Sequence, residues 1–194
     1  MADADDFQTP ILLLALPQVL DPFFHKSVVL LLQHQSEGSL GFIVNRPTEV
    51  KISDILEDLD LPWLGDESSL AFFGGPVQPQ VGTLLYRSAE SLATVTSQNE
   101  VCPGVALTQH AGDIERLAAE PPGAFRLLLG YAGWGEGQLV DELLRNDWMT
   151  APVDEDLIFH ERPEEVWRLA FESVGVDPSQ LPSWTADGRD LSAN

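Results

Sequence analysis

Apolar residues in this chain come first in unbroken runs and only later at helical spacing. Ile11-Leu12-Leu13-Leu14-Ala15-Leu16 lies between Pro10 and Pro17 without alternation, the pattern of a strand covered on both faces. Ser27 to His34 holds a second such run, and Gly41-Phe42-Ile43-Val44-Asn45 a third. The connection between them, Ser36-Glu37-Gly38-Ser39, is short and turn-prone, so these two strands are expected to form an antiparallel hairpin. Asn45-Arg46-Pro47 then reads as the end of the third strand. Helical spacing appears at Ile52, Ile55, Leu56 and Leu59, with Asp54, Glu57 and Asp58 on the opposite side and Pro62 behind.

Further short strands are predicted at Leu70–Phe73, Val81–Arg87, Leu92–Thr96 and Val105–Leu107, with a short helix from Asp113 to Ala119. Phe125 to Leu129 reads as a buried strand that meets Gly130-Tyr131-Ala132-Gly133-Trp134-Gly135-Glu136-Gly137. Glycine tolerates positive φ and close backbone approach, so this stretch reads as a sharp turn into a helix marked by Leu139, Val140, Leu143 and Leu144. Asn146-Asp147-Trp148-Met149 leads into a loop containing Pro152, and Leu157-Ile158-Phe159 reads as a late strand. In the last predicted helix, Pro163 suits the first turn, Glu164 and Glu165 complement the positive end of the dipole, and Gly175 caps the far end. The chain divides into an arm (1–10), one domain (11–176) and a polar tail (177–194), where Leu181 and Trp184 could fold back onto the body. Early strands without regular intervening helices argue for an α+β fold rather than a doubly wound sheet.

Charge narrows the function. Ten Lys and Arg stand against 31 Asp and Glu, a net charge of −21. A field of that sign repels phosphate backbones and anionic lipid, which makes direct nucleic-acid binding and membrane association unfavourable. Cys102 is the single cysteine, so no internal disulfide can form and a reducing compartment is expected. The acidic start, Met1-Ala2-Asp3-Ala4-Asp5-Asp6, is unlike a basic secretory leader, and the Ile11–Leu16 run is too short to span a bilayer. Both point to the cytosol.

Candidate chemistry gathers at three corners. A strand–glycine turn–helix can present backbone amides to phosphate, but the spacing here matches neither GxxxxGK[ST] nor GxGxxG, and Gln138 occupies the position where the latter needs glycine. The turn could equally serve to seat Trp134 against the core. Arg46, just past a buried strand, could grip a carboxylate or phosphate with both arms, or satisfy an acid or a carbonyl inside the fold. Gly74-Gly75-Pro76 reads as a turn. If residues 45–47, 74–77 and 130–138 converge at one sheet edge, Asn45, Arg46, Gly74, Gly75, Tyr131, Gly133, Trp134 and Gln138 would line a groove for a ligand or partner. His25, His34, His110 and His160 have no zinc spacing, Cys102 reads as a lone buried thiol, and no GxSxG elbow is present. The sequence therefore points to no catalytic residue, cofactor or metal.

The motifs taken in order resemble a known family. Leu13-Leu14-Ala15-Leu16-Pro17, Asp21-Pro22-Phe23-Phe24, Ser27-Val28-Val29-Leu30-Leu31, Gly41-Phe42-Ile43-Val44-Asn45-Arg46-Pro47, Gly74-Gly75-Pro76-Val77, Gly130-Tyr131-Ala132-Gly133-Trp134, Gly137-Gln138-Leu139, Glu142-Leu143 and Asn146-Asp147-Trp148 together resemble the bacterial YqgE/AlgH family across residues 11–175. The resemblance implies a single α+β domain whose bent, mostly antiparallel sheet is folded into a pseudo-barrel with helices packed outside. It also implies a small cytosolic protein linked to transcriptional regulation of exopolysaccharide synthesis, and it brings no catalytic residue, cofactor or substrate with it. Two functions follow as expectations. One is a non-enzymatic regulatory or binding protein, monomeric or a small homo-oligomer, acting through a protein or small-molecule partner rather than on DNA. The other is a small-molecule sensor or enzyme with its site at the three converging corners.

Overall fold

The computed structural model describes residues 8–88 and 99–181. Its strands are β1 (Ile11–Ala15), β2 (Val28–Gln35), β3 (Gly38–Ile43), β4 (Pro47–Lys51), β5 (Leu70–Phe73), β6 (Val77–Arg87), β7 (Asn99–Cys102), β8 (Val105–Thr108), β9 (Phe125–Gly135) and β10 (Trp148–Ala151). The helices are α1 (Ile52–Glu57), α2 (Ala111–Ala119), α3 (Gln138–Leu144), α4 (Glu155–Ile158) and α5 (Pro163–Ser173). The strands join in one sheet ordered β10-β1-β2-β3-β9-β6-β8-β7, with β5 also on β9 and β4 on β5. Every pairing is antiparallel except β5 with β9. The sheet curls into a half-barrel of α+β class in a single domain, as the resemblance implied.

The runs without alternation behave as their pattern predicts. In β1, Leu12 and Leu14 enter one core with Leu30, Phe42, Leu85, Leu128 and the α5 residues Val166, Ala170 and Phe171. Leu13 and Ala15 point the other way, into a core with Val29, Leu31, Ile43 and Leu139 of α3. A third core lies between β6, β8, β9 and helices α1 and α2, around Ile52, Leu56, Tyr86, Leu117 and Leu127. Each fully buried leucine contributes about 1.5–3 kcal/mol by leaving water, which is why the strand interiors tolerate almost no polar residue. The hairpin β2–β3 forms as expected, from Gln35 paired with Gly38 to Val29 paired with Ile43.

Strand β9 joins the halves. One edge lies along β6; the other is shared, with β5 beside Leu128 and Leu129, then β3 beside Ala132 to Gly135. Here the glycine-rich stretch departs from its expected form. It does not turn after Leu129: the strand continues to Gly135, and only Glu136 and Gly137 (φ +69°) make the bend into α3. Gly130, at φ +70°, sits instead at a bulge in the β6–β9 pairing, where residues 78–81 of β6 lie opposite it between Val77 paired with Tyr131 and Gly82 paired with Leu129. Leu127 and Leu129 face the α1/α2 side, while beyond the bulge Ala132 and Trp134 face the α3 side and Tyr131 faces inward. One residue at positive φ thus resets which side chains face which layer.

Four further differences have local causes. Leu157-Ile158-Phe159 is not a strand; α4 covers Glu155–Ile158 because the Asp154 carboxylate accepts from Asp156 N at 2.9 Å and caps a short helix. β10 (Trp148–Ala151) falls where no strand was expected, its four residues too few to show alternation. β4 begins at Pro47, where the strand was expected to end; proline is tolerated because β4 is a largely exposed edge strand. Helix α1 stops at Glu57, leaving Leu59 59% exposed rather than on the buried face. The strand expected at 92–96 and the contact expected of Trp184 lie outside the described residues.

A Cβ added at Gly75 would lie 2.1 Å from the Tyr131 carbonyl carbon, and one at Gly74 2.3 Å from Gly130 O, backbone against backbone in both cases. Gly75→Ala is therefore expected to lower stability by about 3 kcal/mol or more. Gly123, with nothing within 4 Å of an added Cβ, is the control, and Gly123→Ala should be neutral or stabilising by up to about 1 kcal/mol. Urea midpoints of the two variants against the parent check this, and equal midpoints would show that β9 is not so closely crossed.

Candidate functional site

The three corners do lie side by side. Phe73 N donates to Arg46 O, Ile43 N to Gly74 O, and Gly74 N to Leu129 O, each at 2.8 Å. They meet as interlocked backbone at the place where β3 and β5 diverge along β9. The side chains predicted to line a groove there have definite positions, most of them held by hydrogen bonds to other parts of the fold.

Asn45 Oδ1 accepts from Val28 N at 2.8 Å, and its Nδ2 donates to Lys26 O at 3.0 Å. Arg46 donates through Nη1 to Pro22 O and through Nη2 to His25 O, the latter at 2.7 Å. Of the two roles open to this arginine from sequence, the structure shows the one that satisfies carbonyls. Partial burial pulls its pKa down, while the field of Asp21 acts the other way. Asp21 also holds the loop locally, its Oδ1 accepting from Phe23 N and Phe24 N. The segment 21–28 is thus clamped from one side by two neighbouring residues at the end of β3.

An aromatic cluster clamps it from the other side. Phe24 lies 6.1 Å from Trp134 and 5.7 Å from Trp148, centroid to centroid, and the two tryptophans are 5.9 Å apart. Both indoles are 5% exposed, so each N–H needs an internal acceptor. Glu142 supplies it: Oε2 accepts from Trp134 Nε1 at 2.8 Å and from Trp148 Nε1 at 2.7 Å. Its Oε1 accepts from Gln138 Nε2 at 2.9 Å, and Gln138 Oε1 accepts from Gly135 N at 3.1 Å. Sequence reasoning placed Gln138 in the candidate groove and passed over Glu142. The available signal was the Gln138/Glu142 spacing of four on one helix, which brings the two side chains together.

Tyr131 is different. It faces the concave side, where the main core is open at one end. A cleft of about 560 Å³ lies there, lined among others by Gln33, Phe42, Gln78, Glu100, Gln109 and Tyr131. Gln78 is held at φ +49°, in the part of β6 that swings away from β9 opposite the Gly130 bulge. Gln109 Nε2 donates to Thr83 Oγ1 at 2.7 Å, which fixes its amide at the wall. Of the predicted residues, Tyr131 lines this cleft, and Gly133 is exposed on the same strand.

Other polar groups of the core are structural. Arg126 lies over the Phe72 ring at 4.4 Å and donates from Nη2 to His160 O at 2.6 Å; burial draws its pKa down to about 10, so it stays charged near neutrality. Burial, then Glu155 and Glu100, push the Cys102 thiol up, away from the thiolate a nucleophile requires. Among the described residues, no three His, Cys, Asp or Glu side chains come together as metal ligands. No described helix is long and apolar enough to cross a membrane.

A curled antiparallel half-barrel with helices on both sides, its central strand carrying a glycine bulge, is the class of protein that this geometry defines. Residues 12–179 match the family model described as AlgH-like, and the chain belongs to that family. A UPF0301 protein of Methylococcus capsulatus is 42% identical over 181 residues, 91% of this chain and 94% of the relative. One from Cupriavidus metallidurans is 38% identical, over 87% of this chain and 89% of its own length. The solution structure of the AlgH protein from Pseudomonas aeruginosa superposes with a TM-score of 0.72 at 32% identity, covering 90% of this chain and 95% of that one. A crystal structure of a Corynebacterium diphtheriae protein, 20% identical with a TM-score of 0.71 and 87% coverage of each chain, shares the fold.

Two predictions test the clamps. Glu142→Ala leaves two buried indole N–H groups without an acceptor and should cost about 2–4 kcal/mol, whereas Glu142→Gln, which keeps one carbonyl oxygen, should cost about 1–2 kcal/mol. Unfolding followed by tryptophan fluorescence separates the two. Arg46→Ala should cost about 1–3 kcal/mol and speed amide hydrogen exchange selectively across residues 18–27. Uniform exchange in that variant would contradict the latch.

Proposed function

We propose that this is a non-enzymatic binding protein of the cytoplasm, with a regulatory role exerted through a small ligand or a protein partner and not through direct contact with DNA. The observation that supports it most is what the cleft is made of. Gln33, Gln78 and Gln109 line it beside Tyr131, apolar side chains and a single carboxylate, that of Glu100. Primary amides recognise ligands by donating and accepting hydrogen bonds but do not exchange protons near neutral pH, so a wall in which they outnumber one carboxylate suits recognition better than chemistry that needs a paired acid and base.

The positions of the cations support the second half of the proposal. Arg87 pairs with Glu155 and Asp156, Arg145 with Asp147, Arg162 with Glu165, and Arg168 with Glu165 and Glu172. Arg46 and Arg126 hold carbonyls, and Lys26 sits over the Trp167 ring at 5.6 Å. Cations engaged in this way do not form the basic stripe that neutralises phosphates. The link to transcriptional regulation that comes with family resemblance then runs through a partner that itself touches DNA, or through a metabolite that sets the partner's affinity. The sensor or enzyme reading shifts from the three corners to this cleft, with Tyr131 common to both.

Two measurements test the proposal. A mobility-shift assay with duplex DNA at physiological salt is expected to show no complex at protein concentrations up to about 100 μM, the weak end of the usual range of non-specific affinities. Thermal-shift screening of metabolites is expected to yield compounds that raise Tm in the parent and not in Tyr131→Ala. A salt-sensitive DNA complex, or turnover of a screened compound, would overturn the reading.

A further inference from the structure

The cleft has a charge character that narrows its ligand, an inference that rests on its being a binding site. We propose that it takes a small organic cation, a primary or quaternary ammonium with an aliphatic body, recognised by the Glu100 carboxylate and the Tyr131 ring. Glu100, exposed to solvent at the cleft, is the one charged side chain among the described residues that line it. Among the described residues its carboxylate has neither an ion pair nor a hydrogen bond. Its negative charge reaches the adjoining wall, where it adds to the upward push on the Cys102 thiol.

An anionic ligand would have to give up water beside that carboxylate with no cation in the lining to receive it. Either kind of ammonium gains from the same carboxylate and from the half-buried tyrosine ring, and a primary one also donates N–H to the amide oxygens of Gln33 and Gln78. Leu32, Leu40, Val101 and Leu107 supply an apolar wall for methylenes. The volume of about 560 Å³ suits an extended amine rather than a bare ion. The net charge of −21 concentrates cations around the whole molecule and so favours their arrival.

The test is a chemical-shift titration of the full chain by NMR at physiological salt. Spermidine and choline are the cationic probes, myo-inositol the neutral one, and inorganic phosphate the anionic one. Spermidine or choline is expected to give saturable shifts at amides of residues 100–109 and at Tyr131. Glu100→Gln should weaken that binding about tenfold, and Tyr131→Leu about threefold to tenfold. Asp58→Asn, an equal loss of charge at the exposed end of α1, should leave it unchanged. Unperturbed amide spectra of the unliganded variants confirm that each is folded. Shifts spread over the acidic surface and weakened equally by Glu100→Gln and Asp58→Asn would overturn the inference. If inositol or phosphate saturates the cleft and the ammonium probes do not, the cleft stands as a binding site and the cation is discarded. If no probe moves Tyr131 and the metabolite screen also finds nothing dependent on it, both readings fall.

Discussion

The fold depends on one strand edge being shared. Along β9 the hydrogen-bonding edge is occupied first by β5 and then by β3, with Gly74 and Gly75 crossing at the changeover. Two strands cannot leave a common neighbour in different directions unless backbones pass within van der Waals distance, and only a residue without Cβ permits that. A Cβ at Gly130 would meet Gly75 O at 2.5 Å and Val77 O at 2.8 Å, so the glycines on each side of the crossing require one another. The curl of the sheet, the placing of α3 outside one half and α1 and α2 outside the other, and the open end of the concave face all follow from this crossing.

Around that seam the polar residues act mainly on the fold. The loop between β1 and β2 is long and carries two exposed apolar side chains, Leu20 and Phe23. What orders it is a set of backbone carbonyls and amides satisfied by Asn45 and Arg46, together with a buried aromatic cluster satisfied by Glu142. Buried polar groups must find partners, and a carboxylate that accepts from three N–H groups meets that need in a compact way. Side chains engaged in this way are poorly placed to meet a ligand, which is why the proposed recognition site is on the concave side.

The sequence was legible where one physical effect dominated. Continuous apolar runs at Ile11–Leu16 and Val28–Leu32 identify two-sided burial whatever their neighbours, and the α5 stripe with Pro163 and Glu164 identifies an amphipathic helix with its caps. It was illegible where two effects of similar size compete. Leu157-Ile158-Phe159 is apolar enough for either element, and a single capping hydrogen bond from Asp154 decides for a helix. The glycines at 130 to 135 signalled that something unusual happens to the backbone. A turn and a strand crossed closely by another chain segment make the same demand for small residues, so composition alone could not separate them.

By itself, then, the sequence determined the family through the order of its motifs, and the class of fold, the element types of its strongly patterned segments and the sign of the surface field through composition and local periodicity. Tertiary structure alone decided the roles of Asn45, Arg46 and Trp134, since their hydrogen-bond partners Val28, Pro22, His25 and Glu142 come from other elements. It also decided where open space remains. A cleft is what packing leaves unfilled, and the bulge at Gly130 that turns Tyr131 toward it is a property of paired strands rather than of any one of them.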